Sequence, residues 1–379
     1  MFKAAQAVER LSGSQRASQI ATWGTGAVSL ASGDPSFATP DYISEAAIAA
    51  IREGHTHYAP PMGIMNLRRT VARQLSAKDG GDFQADDILI TPGSSAGIYA
   101  VMVAYLDPGD EVLLHDPSYS LYRDVALAIG AQPVFVPWTK DFRLDLEALE
   151  RAVTPRTRMF VLNNPVNPTG VVLSPSETAA LAEFVRRHDL LLLADEAYDH
   201  LVYDGREMLS VASIEALADR AIILNTCSKT FAMTGWRIGY VAARQGLVRP
   251  VAVIHRTAFH SANTIAQRAA VTAFSEETDW HERMLAAYTE RREIMCNMVN
   301  EMPGLHCERP EGAFYVFVRV DVPLSSQELT DHCFRHGVEV RSGTEFGQQG
   351  EGYIRLTFAG APAEFRPGLE RMAEAMQAL

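Results

Sequence analysis

A lysine almost never sits among buried apolar residues unless a partner or a task holds it there. Lys229 comes a few positions after Ala221-Ile222-Ile223-Leu224, an apolar run that reads as a short buried strand. Hydroxyls at Thr226, Ser228 and Thr230 stand around it, with Arg237 and two glycines just beyond. An amine carried to a strand end, beside hydroxyls and a guanidinium, suits Schiff-base chemistry next to a bound phosphate.

Other apolar runs also end in polar residues with chemical uses. After Ile88-Leu89-Ile90 comes Thr91-Pro92-Gly93-Ser94-Ser95-Ala96-Gly97, leading into a helix from about Ala96 to Leu106. Small residues at a helix N-terminus leave free N–H groups and a favourable dipole for an anion. After Val112-Leu113-Leu114 comes His115-Asp116-Pro117-Ser118-Tyr119, where Tyr119 is either an ordinary aromatic or a plate for a planar heteroaromatic ring. Asn163-Asn164-Pro165-Val166-Asn167-Pro168-Thr169-Gly170 is a constrained turn, either purely structural or holding the Asn167 amide against a ligand oxygen. Four leucines precede Ala194-Asp195-Glu196-Ala197-Tyr198. A carboxylate ending such a strand is costly unless paired, and a protonated pyridine nitrogen would pair with it. Tyr198 would reach another edge of the same ring; a structural cap is the alternative role for Asp195.

The elements that must position these residues alternate between about Asp87 and Ala243. Strand candidates are Ile88–Ile90, Glu111–Leu114, Pro133–Val136, Met159–Leu162, Leu190–Leu193, Ile222–Leu224 and Ile238–Val241. Several are apolar throughout, as in a mostly parallel sheet covered on both faces by helices. Ser174-Pro175-Ser176-Glu177 has the form of a capping box opening a helix. Beyond about Ala273 a long charged helix runs from Trp280 to Asn300, stops at Pro303-Gly304, and is followed by strand-like runs at Ala313–Val320 and Tyr353–Phe358. The expectation is an α/β protein with a large domain over 38–275 and a smaller α+β domain formed by 276–379. Residues 1–37, an N-terminal arm, are expected to pack on the smaller one. In open parallel sheets ligands bind beyond the carboxyl ends of the strands, where the polar residues above fall.

Taken together, Asn167, Asp195, Tyr198, Lys229 and Arg237 resemble, in order, spacing and local context, the signature of class I/II aminotransferases, enzymes that use pyridoxal 5'-phosphate. The resemblance runs from Gly33 to Arg355. It implies the aspartate aminotransferase-like fold, with Lys229 carrying the coenzyme, Asp195 keeping its pyridine nitrogen protonated, and Asn167 and Tyr198 facing its phenolic oxygen. It implies phosphate contacts from Ser94, Ser95, Thr226 and Arg237, and ring stacking by Tyr119. Tyr58, in Tyr58-Ala59-Pro60-Pro61-Met62-Gly63, resembles a tyrosine that reaches the neighbouring subunit's phosphate, which implies a homodimer with shared active sites. Arg355 and Gly33 match positions at the substrate α-carboxylate, and Lys229 is the implied proton shuttle. Ser95 stands where aspartate-using bacterial relatives often have lysine, which weighs against a dicarboxylate preference. His260 and Asn263 are candidates to approach the partner's site; Phe314 and Tyr315 either line the side-chain pocket or pack in the core.

Composition excludes several other classes. The 379 residues carry 46 Asp and Glu against 34 Lys and Arg, a net charge of −12, with no basic run to suit nucleic acid or an anionic membrane. Met1 to Arg10 has no apolar core of a signal peptide, and no segment has the length of a membrane span. Cys227, Cys296, Cys307 and Cys333 show no CxxC spacing, so a reduced, cytoplasmic protein is expected, with Cys227 a buried filler rather than a nucleophile. His55 and His57 lack a third metal ligand, and Gly24-Thr25-Gly26 lacks the strand–turn–helix setting of a dinucleotide site. The expected activity is transfer of an amino group between an L-amino acid and a 2-oxo acid. A C–S β-lyase built on the same residues is the first alternative. A non-catalytic regulator domain is the second, disfavoured because no basic helix precedes Gly33.

Overall fold

The computed structural model describes residues 2–18 and 26–379; Gly24 and Thr25 lie outside them. Seven strands form the main sheet: β1 (Ile88–Thr91), β2 (Glu111–Asp116), β3 (Gln132–Pro137), β4 (Thr157–Asn163), β5 (Leu191–Asp195), β6 (Ala221–Thr226) and β7 (Gly239–Ala242). Their spatial order is β1-β7-β6-β5-β4-β2-β3. All neighbours are parallel except β7, which runs antiparallel to both β1 and β6. β1, β2, β6 and β7 are buried at every position, whereas β3, at one edge, is largely exposed. Continuous apolar runs therefore do mark strands covered on both faces here.

Parallel pairing brings the carboxyl ends of β2, β4, β5 and β6 to one edge of the sheet. Each strand there closes on a buried polar residue: Asp116, Asn163, Asp195 and Thr226. Register places Asn163 beside Asp195, and Thr226 beside Gly239. Helix α1 (Ser94–Tyr105) follows β1, α2 (Leu121–Ile129) follows β2, and the single turn α3 (Cys227–Thr230) follows β6. The helix over Pro175–Arg187 has the expected capping box, with Ser174 and Glu177 satisfying each other's backbone N–H groups.

The long helix α4 spans Trp280–Asn300. A four-stranded antiparallel sheet follows, in the order Arg341–Ser342, Tyr353–Thr357, Tyr315–Val320 and Leu305–His306. The architecture is thus α/β, a mixed sheet between helices joined to a smaller α+β region. One apolar core runs from Phe160 and Leu192 in the large sheet to Val316 and Ile354 in the small one.

The arm differs from expectation. Val28–Ser29 does pair, in parallel, with Val338–Glu339 of the C-terminal region. The segment before it instead lies on the large-sheet side, against α2. Arg10 donates to the carbonyls of Leu127 and Ala128, and Ser14 Oγ donates to Asp124 at 2.8 Å. Carbonyls in the last turn of a helix are short of intrahelical donors, and the arginine adds one there, alongside the Gly130 N–H that already reaches Leu127.

Candidate active site

A cavity of about 350 Å³ opens at the carboxyl edge of the sheet, a size that suits a small ligand. Of the residues singled out from sequence, Gly33, Ser94, Ser95, Tyr119, Asn167, Asp195, Tyr198, Thr226, Lys229, Arg237 and Arg355 all line it. Tyr58 does not. Its ring is 87% exposed, and it packs edge-on against His260 with centroids 4.7 Å apart. Five cationic side chains (Arg16, Lys229, Arg237, Arg341 and Arg355) face two carboxylates (Asp195 and Glu345) in the cavity wall. A chain that is acidic overall has therefore built a locally positive pocket, suited to anions.

The amine and the carboxylate are both shifted toward neutrality. Burial lowers Lys229 to about 8, against the opposing pull of Asp34, with Arg237 and Arg355 adding to the depression. Its Nζ donates to the Gly33 carbonyl. Burial raises Asp195 to about 6, although it accepts hydrogen bonds from Tyr122 Oη at 2.7 Å and the Ala197 backbone N–H at 3.2 Å. Asp195 is thus a buried carboxylate held by two neutral donors and in no salt bridge among the described residues, with Lys229 the cation whose charge reaches it. Tyr198 meets Tyr315 hydroxyl to hydroxyl at 3.0 Å, and burial raises its pKa well above the phenol range.

Arg355, on the strand Tyr353–Thr357, is 6% exposed and forms no ion pair with any described residue. One guanidinium nitrogen donates to Asn167 Oδ1 at 3.0 Å, another to the Ala31 carbonyl at 2.6 Å, and Nε has no partner. The ring of Tyr315 lies 4.3 Å beneath its Cζ and that of Phe346 4.8 Å away. Asn167 is itself fixed from behind: its backbone N–H donates to Asn163 Oδ1 at 2.7 Å, and Asn163 donates to the Asp195 carbonyl.

At the other end of the cavity, backbone crowding makes an anion cradle. Gly93 is the N-cap of α1 at φ 78°, with no side chain capping the helix, so first-turn N–H groups are open to a ligand. A Cβ on Gly93 would lie 2.5 Å from an Arg237 terminal nitrogen, so the guanidinium already occupies that space. A Cβ on Gly239 would lie 2.7 Å from the Asn225 carbonyl oxygen and 3.0 Å from the Ser94 nitrogen. Arg237 holds φ 52°, a left-handed backbone uncommon for a side-chain-bearing residue and one kind of strain found at ligand sites.

Some assignments change once the geometry is in view. α1 begins at Ser94 rather than near Ala96, because Gly93 rather than a later residue caps it; both serines belong to the first turn. Asn263 caps the helix Thr264–Ser275, its side chain accepting from the Ala266 N–H. Phe314 is fully buried core while Tyr315 lines the cavity. Burial lifts the Cys227 thiol to about 12, which leaves it inert. Arg16, Tyr122 and Asn163 also line the cavity, and sequence reasoning gave none of them a place in the site. Tyr122 had a signal: it lies one helical turn after Tyr119, and the two rings meet edge-on at 5.5 Å. Arg16 had none, since nothing in a short polar segment predicts which pocket it will border.

Residues 25–372 match the family model described as aminotransferase class I and II. The chain belongs to the class I and II aminotransferases. The aminotransferase is 38% identical to aromatic-amino-acid aminotransferase 2 of Thermococcus litoralis, over 93% of this chain and 92% of that one. It is 35% identical to an aspartate aminotransferase of Pyrococcus abyssi, over 92% of each. Among solved structures it is similar to the aspartate aminotransferase of Rhizobium meliloti, at TM-score 0.92 and 31% identity, covering 100% of this chain and 99% of that one.

Pyridoxal phosphate is the coenzyme of this family and of this aminotransferase. The residues present fit it in three independent respects. The glycine-lined turn beside Arg237 leaves backbone exposed where a phosphate needs it. Asp195 is a carboxylate in no salt bridge among the described residues, as a pyridine nitrogen requires. Lys229 is an amine whose neutral form is accessible near physiological pH.

Proposed function

We propose that this aminotransferase binds the coenzyme through Lys229, with Asp195 at the pyridine nitrogen, Asn167 and Tyr198 at the phenolic oxygen and Tyr119 against the ring face. Ser94, Ser95, Thr226 and Arg237 take the phosphate. Bound there, the coenzyme supplies an electron sink that makes the proton at the substrate Cα removable. Lys229, freed once the substrate amine has taken its place, would carry that proton between Cα and the coenzyme's C4′, which a pKa near 8 suits, since the amine gives and receives protons with little penalty. Arg355 grips the substrate α-carboxylate through two parallel hydrogen bonds, which fixes the amino acid's orientation over Lys229. Gly33 belongs here because a Cβ at that position would lie 2.2 Å from Tyr315 Oη and close the floor of the carboxylate site.

The observation that carries this reading is Arg355: a buried guanidinium without a carboxylate partner among the described residues, with Nε unsatisfied, sharing a cavity with a depressed lysine. Transfer predicts that an amino donor alone releases one equivalent of 2-oxo acid per site and then stops, resuming when a second 2-oxo acid is added. Continuous release of pyruvate and ammonia from cysteine conjugates, with no acceptor required, would overturn transfer in favour of elimination.

For substrate side chains, we assign an acidic amino acid to one half-reaction. Arg16 supplies a cation to the same cavity, 5.9 Å over the Tyr119 ring and only loosely paired with Asp124 at 3.9 Å. On this reading it would supply the cation that Ser95 does not, and several relatives are named aspartate aminotransferases. Arg16→Ala lowering kcat/KM for glutamate and aspartate but not for phenylalanine supports the assignment; equal losses for all three contradict it.

The exposed Tyr58 supports a homodimer in which it reaches the partner's phosphate, since an aromatic ring left 87% in solvent is the kind of residue an interface covers. We divide the chain at 38–275 and 276–379, with 1–37 as the arm, and place the protein in the cytoplasm. All four cysteines are free and buried, and no helix among the described residues is long and apolar enough to cross a membrane.

A further inference from the structure

A second cavity, of about 590 Å³, lies on the other side of α3 from the coenzyme pocket. Its wall is largely apolar and aromatic, with Val71, Leu75, Phe231, Tyr240 and Phe274 among its lining. None of its lining residues is shared with the first cavity, yet both are built on the same segments. Ser228 and Lys229 line one and Thr230 and Phe231 the other; Tyr198 lines one and Asp199 and His200 the other. The start of α4 closes the second cavity through His281, and Trp280 beside it donates its ring N–H to the Thr230 carbonyl at 2.9 Å.

The polar groups in this wall are incompletely satisfied. Asp199 accepts from Lys78 through Oδ2 at 2.6 Å, while its buried Oδ1 has no well-formed hydrogen bond; the Asn225 amide lies close enough to help hold the carboxyl's pKa down. His281 Nδ1 is likewise buried and unpartnered. The two imidazoles, His200 and His281, stack face to face at 4.3 Å. Burial lowers both, His281 to about 4, so they are neutral at physiological pH and present a flat, uncharged surface. Glu276 and Glu277 add negative charge to the lining. A buried acceptor short of a donor is destabilising, and a donor from a ligand would recover that cost.

We propose that this cavity is a second ligand site, separate from the coenzyme pocket, for a molecule that joins a protonated amine to an aromatic body. The amine donates to Asp199 Oδ1, and the ring lies among Phe231, Phe274 and the histidine pair. Cation and ring are each provided for: a carboxylate with an open oxygen, and a stacked aromatic wall. Occupancy bears on α3 from behind Lys229, which makes the site suited to an effector rather than a substrate.

The probe is N,N-dimethyl-2-phenylethylamine, a tertiary amine that cannot form a Schiff base with the coenzyme. Titrated calorimetrically into coenzyme-loaded enzyme, it is expected to bind at one site per chain. Asp199→Asn should weaken binding at least ~10-fold, the loss of one charge-assisted hydrogen bond. Lys78→Met, which removes the competing internal cation, should tighten it. The two variants move affinity in opposite directions only if the amine sits at Asp199. Absence of saturable binding to folded, coenzyme-loaded enzyme, or equal affinity in all three proteins, overturns the proposal. Displacement of the probe by a dicarboxylate substrate would place it in the first cavity and overturn it as well.

Discussion

Asp195→Asn should make the coenzyme-free protein more stable while making it useless as an enzyme. Burial raises the Asp195 carboxyl from 3.8 to about 6. Over that interval the native state holds a proton that the unfolded chain has released. Stability contributed by this group is therefore present below about pH 4, declines as pH rises, and is fully lost above about pH 6. A shift of roughly two units corresponds to about 3 kcal/mol of destabilisation at neutral pH. Asparagine carries no charge and removes that term. It cannot accept from both Tyr122 and the Ala197 N–H, because one of its terminal atoms is a donor, which returns about 1 kcal/mol. The net gain is about 2 kcal/mol at pH 7, and none at pH 4. Chemical denaturation of the coenzyme-free proteins at both pH values measures it, and the same variant should have lost nearly all turnover when loaded. If Asp195→Asn is no more stable than the parent at pH 7, or equally more stable at pH 4, the picture of a strained, unpaired carboxylate fails.

Four further outcomes follow from the geometry. Lys229 at about 8 is roughly one-tenth neutral at pH 7, so the rate at which coenzyme-free protein captures pyridoxal phosphate should rise with pH, pass half-maximum near pH 8 and level off above about pH 9; a midpoint near pH 10 in rapid-mixing absorbance would contradict the depression. Tyr122→Phe removes a hydrogen bond to a buried carboxylate worth about 1.5–3 kcal/mol, so kcat should fall by roughly 10- to 150-fold with KM little changed. Arg355→Lys loses the paired geometry, and kcat/KM for every amino acid substrate should drop over the same rough range, while the coenzyme's absorbance stays intact. Gly239→Ala puts a methyl group 3.0 Å from the Ser94 nitrogen, and equilibrium dialysis should find coenzyme held several-fold or more weakly, as overpacking costs about 1–3 kcal/mol. Unchanged retention would mean the turn yields without harm.

Much of the fold was legible because the main sheet is covered on both faces. Burial of both faces turns strands such as Leu191–Asp195 and Ala221–Thr226 into unbroken apolar runs, and their polar last residues mark the ligand edge. The antiparallel sense of Gly239–Ala242 was not legible, since direction leaves no trace in a four-residue apolar run. Site residues at strand ends could be found for the same reason: polarity at the end of such a run is costly and so informative. Residues that reach the cavity by packing escaped notice. Tyr122 looks like any aromatic on an amphipathic helix, and Asn163 like a turn residue, until Asp195 is seen between them. The contact of the first part of the arm with α2 left no trace in the sequence, because it rests on Arg10 and Ser14, polar residues with no periodicity to announce them.

Borohydride reduction of the coenzyme-loaded protein, followed by digestion and mass mapping, bears most directly on the whole account. It should leave a reduced pyridoxyl group on Lys229 alone, at one equivalent per chain. A label on any other lysine, or a fully loaded protein that takes no label, would contradict the site built around that residue.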